Sequence, residues 1–279
     1  MSGPADGLLG LRFAIGPDRR TRLVEREYRF PLRFTTPMYL DPVDTDMAFV
    51  YVQNPSGGVF AGDRLRTRLQ LEEQSHVHLT TQSATKVYRM DGGQAWQGTE
   101  ARLAPGSYLE IVPDLLIPHA GSRLLQELTV QLAGGACFFG MEALAPGRLA
   151  RGEAFAYSRL ELRARVLNAA GAELLVDTLV FEPDRRSPRR RGLAGPYPYV
   201  GSALVLAPER DPDELARALN AAVSTAADAV AATGALPDDI GMTVRVLSHS
   251  SRGLRDALDG IWRAAREVLI GVPPPRRRK

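Results

Sequence analysis

Four histidines, a single cysteine and carboxylates set near turns are the side chains of this 279-residue chain best suited to chemistry. His76 and His78 stand two apart in a segment predicted to be a strand, so both rings face the same side. Two imidazoles on one face could hold a borderline metal. No third ligand lies at a diagnostic spacing, and two half-exposed histidines on a strand face are the competing reading. Asp63, Glu110, Asp114, Glu142, Glu153 and Asp177 sit near turns. A pair of them could act as acid and base in glycoside chemistry, although most acids in β proteins are solvated strand ends. The loop Gly57-Gly58-Val59-Phe60-Ala61-Gly62-Asp63-Arg64 has phosphate-loop glycines. Asp63-Arg64 nevertheless stand where the Lys-Ser/Thr pair belongs, so it reads as a turn between strands. Ser83 and Lys86 have the Ser-x-x-Lys spacing, which serves catalysis on a helix; on strand-like flanks it turns the two side chains to opposite faces. Cys137, within Ala136-Cys137-Phe138-Phe139, reads as a buried apolar thiol. The uncharged polar run Thr80–Thr85 fits a wet interior, an interface or an edge strand.

The elements that must carry these residues are mostly strands. From about residue 8 to 182 short period-two segments alternate with Gly, Pro, Asn and Asp. Leu65, Thr67, Leu69 and Leu71 form one such face, Leu128, Val130 and Leu132 another, and Leu160, Leu162, Ala164 and Val166 a third. Asn168-Ala-Ala-Gly171 predicts a hairpin into Leu174–Phe181. This is a β body of stacked sheets, with no fixed-period repeat to mark it as a solenoid. Residues 183–198 hold too many arginines and breakers for a packed element and read as a flexible, exposed loop. Over about 199–272 the pattern changes. Asp211 is a predicted N-cap, Pro212 the first helical residue and Glu214 a capping-box acid, ahead of a stripe of Leu215, Leu219, Val223, Ala226 and Val230. A strand at Met242–Leu247 leads to a second helix carrying Leu254, Leu258, Ile261, Trp262, Ala265 and Leu269, which stops at Gly271. A basic tail occupies 273–279. The whole chain, 1–279, reads as a single domain.

Charge and composition exclude several classes. The chain has 35 basic and 32 acidic residues, for a net +3. Nine of the basic residues are Arg185, Arg186, Arg189, Arg190, Arg191, Arg276, Arg277, Arg278 and Lys279; without them 26 remain against 32 acids, a body of −6. A basic face spread over the domain is therefore not expected, which argues against a nucleic-acid binder acting through more than the two arginine clusters. A hydrophobic content of 44% with 24% charged residues suits a globular protein. A single cysteine, no signal-peptide pattern and no membrane-length apolar run lead to the expectation of a cytoplasmic protein without membrane contact.

Two strings then fall into place together: Asn54-Pro55-Ser56-Gly57-Gly58-Val59-Phe60-Ala61-Gly62-Asp63-Arg64-Leu65 and Leu79-Thr80-Thr81-Gln82-Ser83-Ala84-Thr85-Lys86-Val87-Tyr88. With Leu109–Asp114, Ile117–Arg123, Glu142–Arg148 and Ala150–Phe155, they resemble the urease accessory protein D family. His119, where an aromatic residue is commoner, and Phe60-Ala61, in place of smaller residues, depart from the family pattern. The resemblance implies an elongated, β-helix-like stack of sheets with about two helices in the C-terminal region. It implies a non-enzymatic nickel metallochaperone scaffold with no tightly bound cofactor and Ni²⁺ in transit. Its partners would be urease accessory protein F, the GTPase accessory protein G and the urease apoprotein, and nickel would travel through an internal passage. Asp63, Ser83, Thr85, Glu110, Glu142 and Glu153 are the expected passage residues, with Lys86 an internal ion-pair partner for one of them. His76 and His78 are possible weak metal ligands, and Leu254, Leu258 and Trp262 the expected partner-binding face. A β-rich hydrolase using paired carboxylates and a nucleic-acid binder using the arginine clusters are the alternatives.

Overall fold

The computed structural model describes residues 6–226 and 228–275; Arg276–Lys279 of the basic tail lie outside the described residues. Among the described residues, seventeen strands and two α-helices, with two short 3-10 turns between them, make up the regular structure. In chain order they are β1 (Gly7–Ile15), β2 (Thr21–Arg29), β3 (Arg33–Phe34), β4 (Ala48–Gln53), β5 (Arg64–Leu71), β6 (His76–Thr81), β7 (Thr85–Val87), β8 (Ala95–Leu103), β9 (Tyr108–Ile111), β10 (Leu116–Pro118), β11 (Arg123–Leu132), β12 (Cys137–Leu144), β13 (Arg159–Asn168), β14 (Glu173–Phe181), β15 (Tyr199–Leu206), α1 (Pro212–Ser224), β16 (Ala229–Ala235), β17 (Gly241–Ser248) and α2 (Ser251–Ile270).

The strands form two sheets. The first runs β14-β13-β11-β8-β5-β1-β2; the path of the second is β16-β17-β15-β12-β9-β6-β4-β3, with β7 and β10 attached. From β4 to β13 the chain gives long strands alternately to the second and the first sheet, and each pairs in parallel with the strand one coil earlier. This is a β-helix-like stack, as the resemblance implied. The hairpins β1–β2 and β13–β14 and the antiparallel trio β15-β17-β16 flank it.

Within the β4–β13 coil, the three connections from the first sheet to the second are stacked tight turns. Ser75 N–H donates to Glu72 O, Ser107 N–H to Ala104 O and Ala136 N–H to Ala133 O. The third position of each turn is left-handed: Gln74 (φ 60°), Gly106 (φ 68°) and Gly135 (φ 68°). Gln74 N–H and Gly106 N–H tie each turn to the next through Pro105 O and Gly134 O. The return connections, residues 54–63, 82–94, 112–122 and 145–158, are longer and all lie at the opposite end.

Parity along each strand sorts its side chains between two cores. Leu65, Leu69, Leu109, Leu124, Phe138 and Leu160 fill the space between the sheets. Tyr108, Phe139, Met141, Val205 and Val244 point the other way, onto α1 and α2. The α2 stripe is the packing face: Leu254, Leu258, Ile261 and Leu269 are 0–1% exposed. Ser250 caps this helix by accepting from Gly253 N–H at 2.9 Å, and Gly271 ends it at φ 74°.

Three expectations need correction. The α1 stripe does not continue to Val230, because the helix ends at Ser224 and Val230 is an exposed residue of β16. Asp211 does cap α1, through Asp213 N–H, whereas Glu214 has no reciprocal bond in the helix cap. Residues 183–198 are a compact run of turns rather than a flexible loop. Arg185 and Arg186 N–H both bond Glu182 O, Ala194 N–H bonds Pro188 O at 2.9 Å, and Pro188 and Ala194 are buried.

Candidate functional site

Two polar assemblies interrupt the apolar layers, one on each face of the second sheet. The first lies under α2. Glu110 on β9 is 0% exposed and sits at the centre of four donors. His78 Nδ1 lies 2.6 Å from Glu110 Oε1, Tyr108 OH donates to Oε2 at 2.7 Å, Trp262 Nε1 donates to Oε2 at 2.9 Å, and Arg266 Nη1 donates to Oε1 at 3.3 Å. The other Nη of Arg266, itself 0% exposed, binds Asp41. Asp41 Oδ1 in turn accepts from Val43 N–H at 2.8 Å and Asp44 N–H at 3.0 Å, which closes the 41–44 turn over the helix. Burial pushes the Glu110 carboxyl up, but the hydrogen bond and charge of His78, with the Arg266 cation, outweigh it and hold the group below the usual carboxylate range. Burial and the Glu110 charge push the Tyr108 phenol well above its ordinary value.

The second assembly lies between the sheets. A cavity of about 160 Å³ is bounded by Thr67 of β5, Gln97 and Thr99 of β8, Gln126 of β11, Thr81, Thr85 and Asp114 of the return connections and their flanking strands, and Glu142 of β12. Thr67 pairs with Thr99 and Gln97 with Gln126 in the parallel register, so polar side chains form short rows across an otherwise apolar layer. The cavity has room for several waters. Gln126 Nε2 donates to Glu142 Oε1 at 3.0 Å and Ser202 Oγ to Oε2 at 3.2 Å. Burial raises the Glu142 carboxyl above its ordinary range, which the Ser202 hydrogen bond and the Arg245 charge only partly offset.

The structure does not bring the six predicted passage residues together. Thr85 and Glu142 line the inter-sheet cavity. Glu110 pairs in register with Phe139 and so faces α2, on the far side of the same sheet. Asp63 accepts from Phe60 N–H at 2.8 Å and closes a turn. Ser83 is exposed on a bend. Glu153 pairs with Arg148 and accepts from Ala120 N–H at 3.3 Å. Lys86 is not internal: its side chain is exposed and has no ion pair among the described residues. His76 and His78 share a face of β6 as expected, but each is engaged by its own carboxylate, Asp44 at 3.0 Å and Glu110. Among the described residues, no three His, Cys, Asp or Glu side chains gather as a metal site. Leu254, Leu258 and Trp262, expected as a partner-binding face, are 0–2% exposed against the sheet, so their side chains are core. Burial raises the Cys137 thiol, which is 5% exposed.

Gln97, Thr99, Gln126 and Ser202 belong to none of the motifs yet line or brace this cavity, and Thr67 of the alternating β5 face joins them. Their signal was a polar residue at an inward position of a strand whose other inward residues are apolar, as Thr67 is between Leu65 and Leu69 and Gln126 between Leu124 and Leu128.

A parallel coil with a polar cavity between its sheets and a charged network sealed beneath a helix defines a β-solenoid-like fold. Its sequence matches the model of the UreD urease accessory protein family over residues 5–279. Urease accessory protein UreD 2 of Streptomyces griseus is 38% identical across 98% of this chain and 93% of its own length. Urease accessory proteins UreD of Haloarcula marismortui and Cenarchaeum symbiosum are 36% and 32% identical, over 98% and 92% of this chain and 90% of each relative. The chain belongs to the UreD family of urease accessory proteins. No helix among the described residues is long and apolar enough to cross a membrane.

Proposed function

We propose that this protein is a non-enzymatic scaffold for urease maturation that passes Ni²⁺ toward the urease active site while assembled with accessory proteins F and G on apo-urease in the cytoplasm. The observation that carries the reading is Glu142: a carboxylate on an inward strand position, facing a cavity lined by hydroxyl and amide side chains. Oxygen donors of this kind hold a borderline divalent cation weakly, which a relay requires; a thiolate or imidazole cage would retain it. The raised carboxyl adds a direction. Burial favours the protonated form of Glu142, so a cation competes with that proton and occupancy of this point rises with pH.

The test is co-expression of the urease subunits and accessory proteins F and G with either the wild-type chain or Glu142→Ala. The variant should lower urease activity and the nickel content of purified urease several-fold while still co-purifying with protein F. Full activation by the variant overturns Glu142 as a relay point. Full activation with the chain omitted overturns the accessory function.

A further inference from the structure

All four return connections of the coil, and the 182–198 turn segment after β14, lie at one end of the stack. In repeat architectures such an end, free of the packing constraints of the strands, commonly carries recognition. Here it is continuous. Phe60, 42% exposed, stacks on Tyr88 at 4.8 Å between ring centroids and 6° between planes. Tyr88 meets His119 edge-on at 4.9 Å. Ala120, next in sequence, bonds Glu153, whose segment folds back through Phe155 N–H to Pro146 O. The guanidinium of Arg189 sits 5.4 Å from the centre of the Phe155 ring and seats the arginine turn on that segment. Gly58 makes the stack possible: a Cβ there would stand 2.5 Å from the Tyr88 ring and 2.6 Å from Lys86 O.

The charge of this end is opposite to that of the body. Lys86, Arg151, Arg186, Arg190 and Arg191 are exposed and have no ion-pair partner among the described residues. Phe60 and Leu149, 42% and 41% exposed, supply apolar area among them. Arg148 and Arg89 are already neutralised by Glu153 and Asp91. Uncompensated guanidiniums interspersed with aromatic and aliphatic residues have the composition of a protein-binding surface. Glu153, Asp91 and Glu182 at the same end are each paired with an arginine, so the surplus positive charge is confined to those five side chains, and the apolar area beside them suits a peptide rather than a phosphate backbone.

We propose that this end is a docking surface for an acidic stretch of another protein, gripped by the 185–191 arginine turn and anchored on Phe60. The turn preorganises the grip, because Pro188 and Ala194 hold its backbone in the fold while the guanidiniums project.

The full-length chain can be titrated against three fluorescein-labelled probes: a peptide of glutamates interspersed with leucines, its glutamine counterpart, and a short DNA duplex. Each is measured at low and at physiological salt. The glutamate peptide should bind, more weakly as salt rises, and the glutamine peptide should not. The triple variant Arg186→Ser/Arg190→Ser/Arg191→Ser and, separately, Phe60→Ser should each weaken peptide binding by at least about tenfold. The arginine variant should leave the melting temperature unchanged, since its three side chains are exposed; Phe60→Ser also gives up the Tyr88 ring contact and should lower it by no more than about 5 °C. Failure of the glutamate peptide to bind, or affinity unchanged in both variants, overturns the proposal. Tighter binding of the duplex than of the peptide at the same salt also overturns it and assigns the patch to nucleic acid.

Discussion

Arg266→Met removes a buried cation and strands a buried carboxylate. Arg266 is 0% exposed, bonds Asp41 and Glu110, and is the cation that these two buried carboxylates share. Methionine preserves much of the volume and suits the neighbourhood, since Met47 Sδ already lies 3.7 Å from the guanidinium. The two carboxylates are left unequally. Glu110 keeps His78, Tyr108 and Trp262, whereas Asp41 Oδ2 loses its cation and stays buried. Removing one partner of a buried ion pair costs about 3–5 kcal/mol. At roughly 2–4 °C per kcal/mol for a chain of this size, melting should fall by about 6–20 °C. The cost is a stranded charge, so Arg266→Met/Asp41→Asn should recover part of the loss. The asparagine amide oxygen can still accept from Val43 and Asp44 N–H, as Asp41 Oδ1 does, without burying an anion. Thermal melts followed by circular dichroism at neutral pH give the comparison. A fall of less than about 2 °C in the single variant, or a double variant less stable than the single, refutes the reasoning.

Two further outcomes follow from pH and packing. Glu110 is held below its unfolded value, so its contribution to stability is present above the ordinary carboxylate pKa and is lost as pH falls through the lower folded value. Glu142 is raised, so its contribution is complete below the unfolded pKa and is lost as pH rises through the folded one. Glu142→Gln should therefore be more stable than wild type at about pH 8 and equal to it near about pH 4, read as melting temperature across the range; a difference that does not grow with pH contradicts the assignment. Gly58→Ala places a methyl against Tyr88 and the Lys86 carbonyl and should cost about 1–3 kcal/mol. The accompanying loss of Phe60–Tyr88 ring contacts can be read by nuclear Overhauser effects, and unchanged contacts would show the loop absorbing the methyl.

The elements were legible where their signals are local. Asp211 and Pro212 open α1 and Gly271 ends α2 by capping chemistry, and Asn168–Gly171 marks the β13–β14 hairpin, in which Gly171 takes φ 83°. The coil was not legible, because each strand pairs with one a full coil away and the tight-turn positions 74, 106 and 135 recur at unequal intervals. That irregularity comes from return connections of different lengths. The candidate site was half legible for a related reason. Motif strings identify the family, but Asp63 and Glu153 belong to them through turn geometry, capping Phe60 N–H and pairing with Arg148. Glu110 and Glu142 both stand mid-strand, and only the β9–β12 register, Phe139 opposite Glu110, reveals that they face opposite sides of one sheet. The arginine turn has the composition of an exposed, flexible loop, and Pro188 and Ala194, the two residues that root it, are inconspicuous among its charges.

The coil also has a direction in time. Each turn of the stack from β4 to β12 lies against the turn made just before it, so a chain emerging from the ribosome can lay down its parallel core in order, every new strand finding its neighbour already in place. The buried ion pair under α2 breaks that rule. Arg266 closes on Asp41 across 225 positions of sequence, and until α2 has been synthesised the 41–44 turn and Glu110 lack their partner and the apolar face of the second sheet is covered by α1 alone. A nascent chain that lacks α2 thus displays an incomplete sheet face to chaperones and proteases, and synthesis of that helix is the step that closes it.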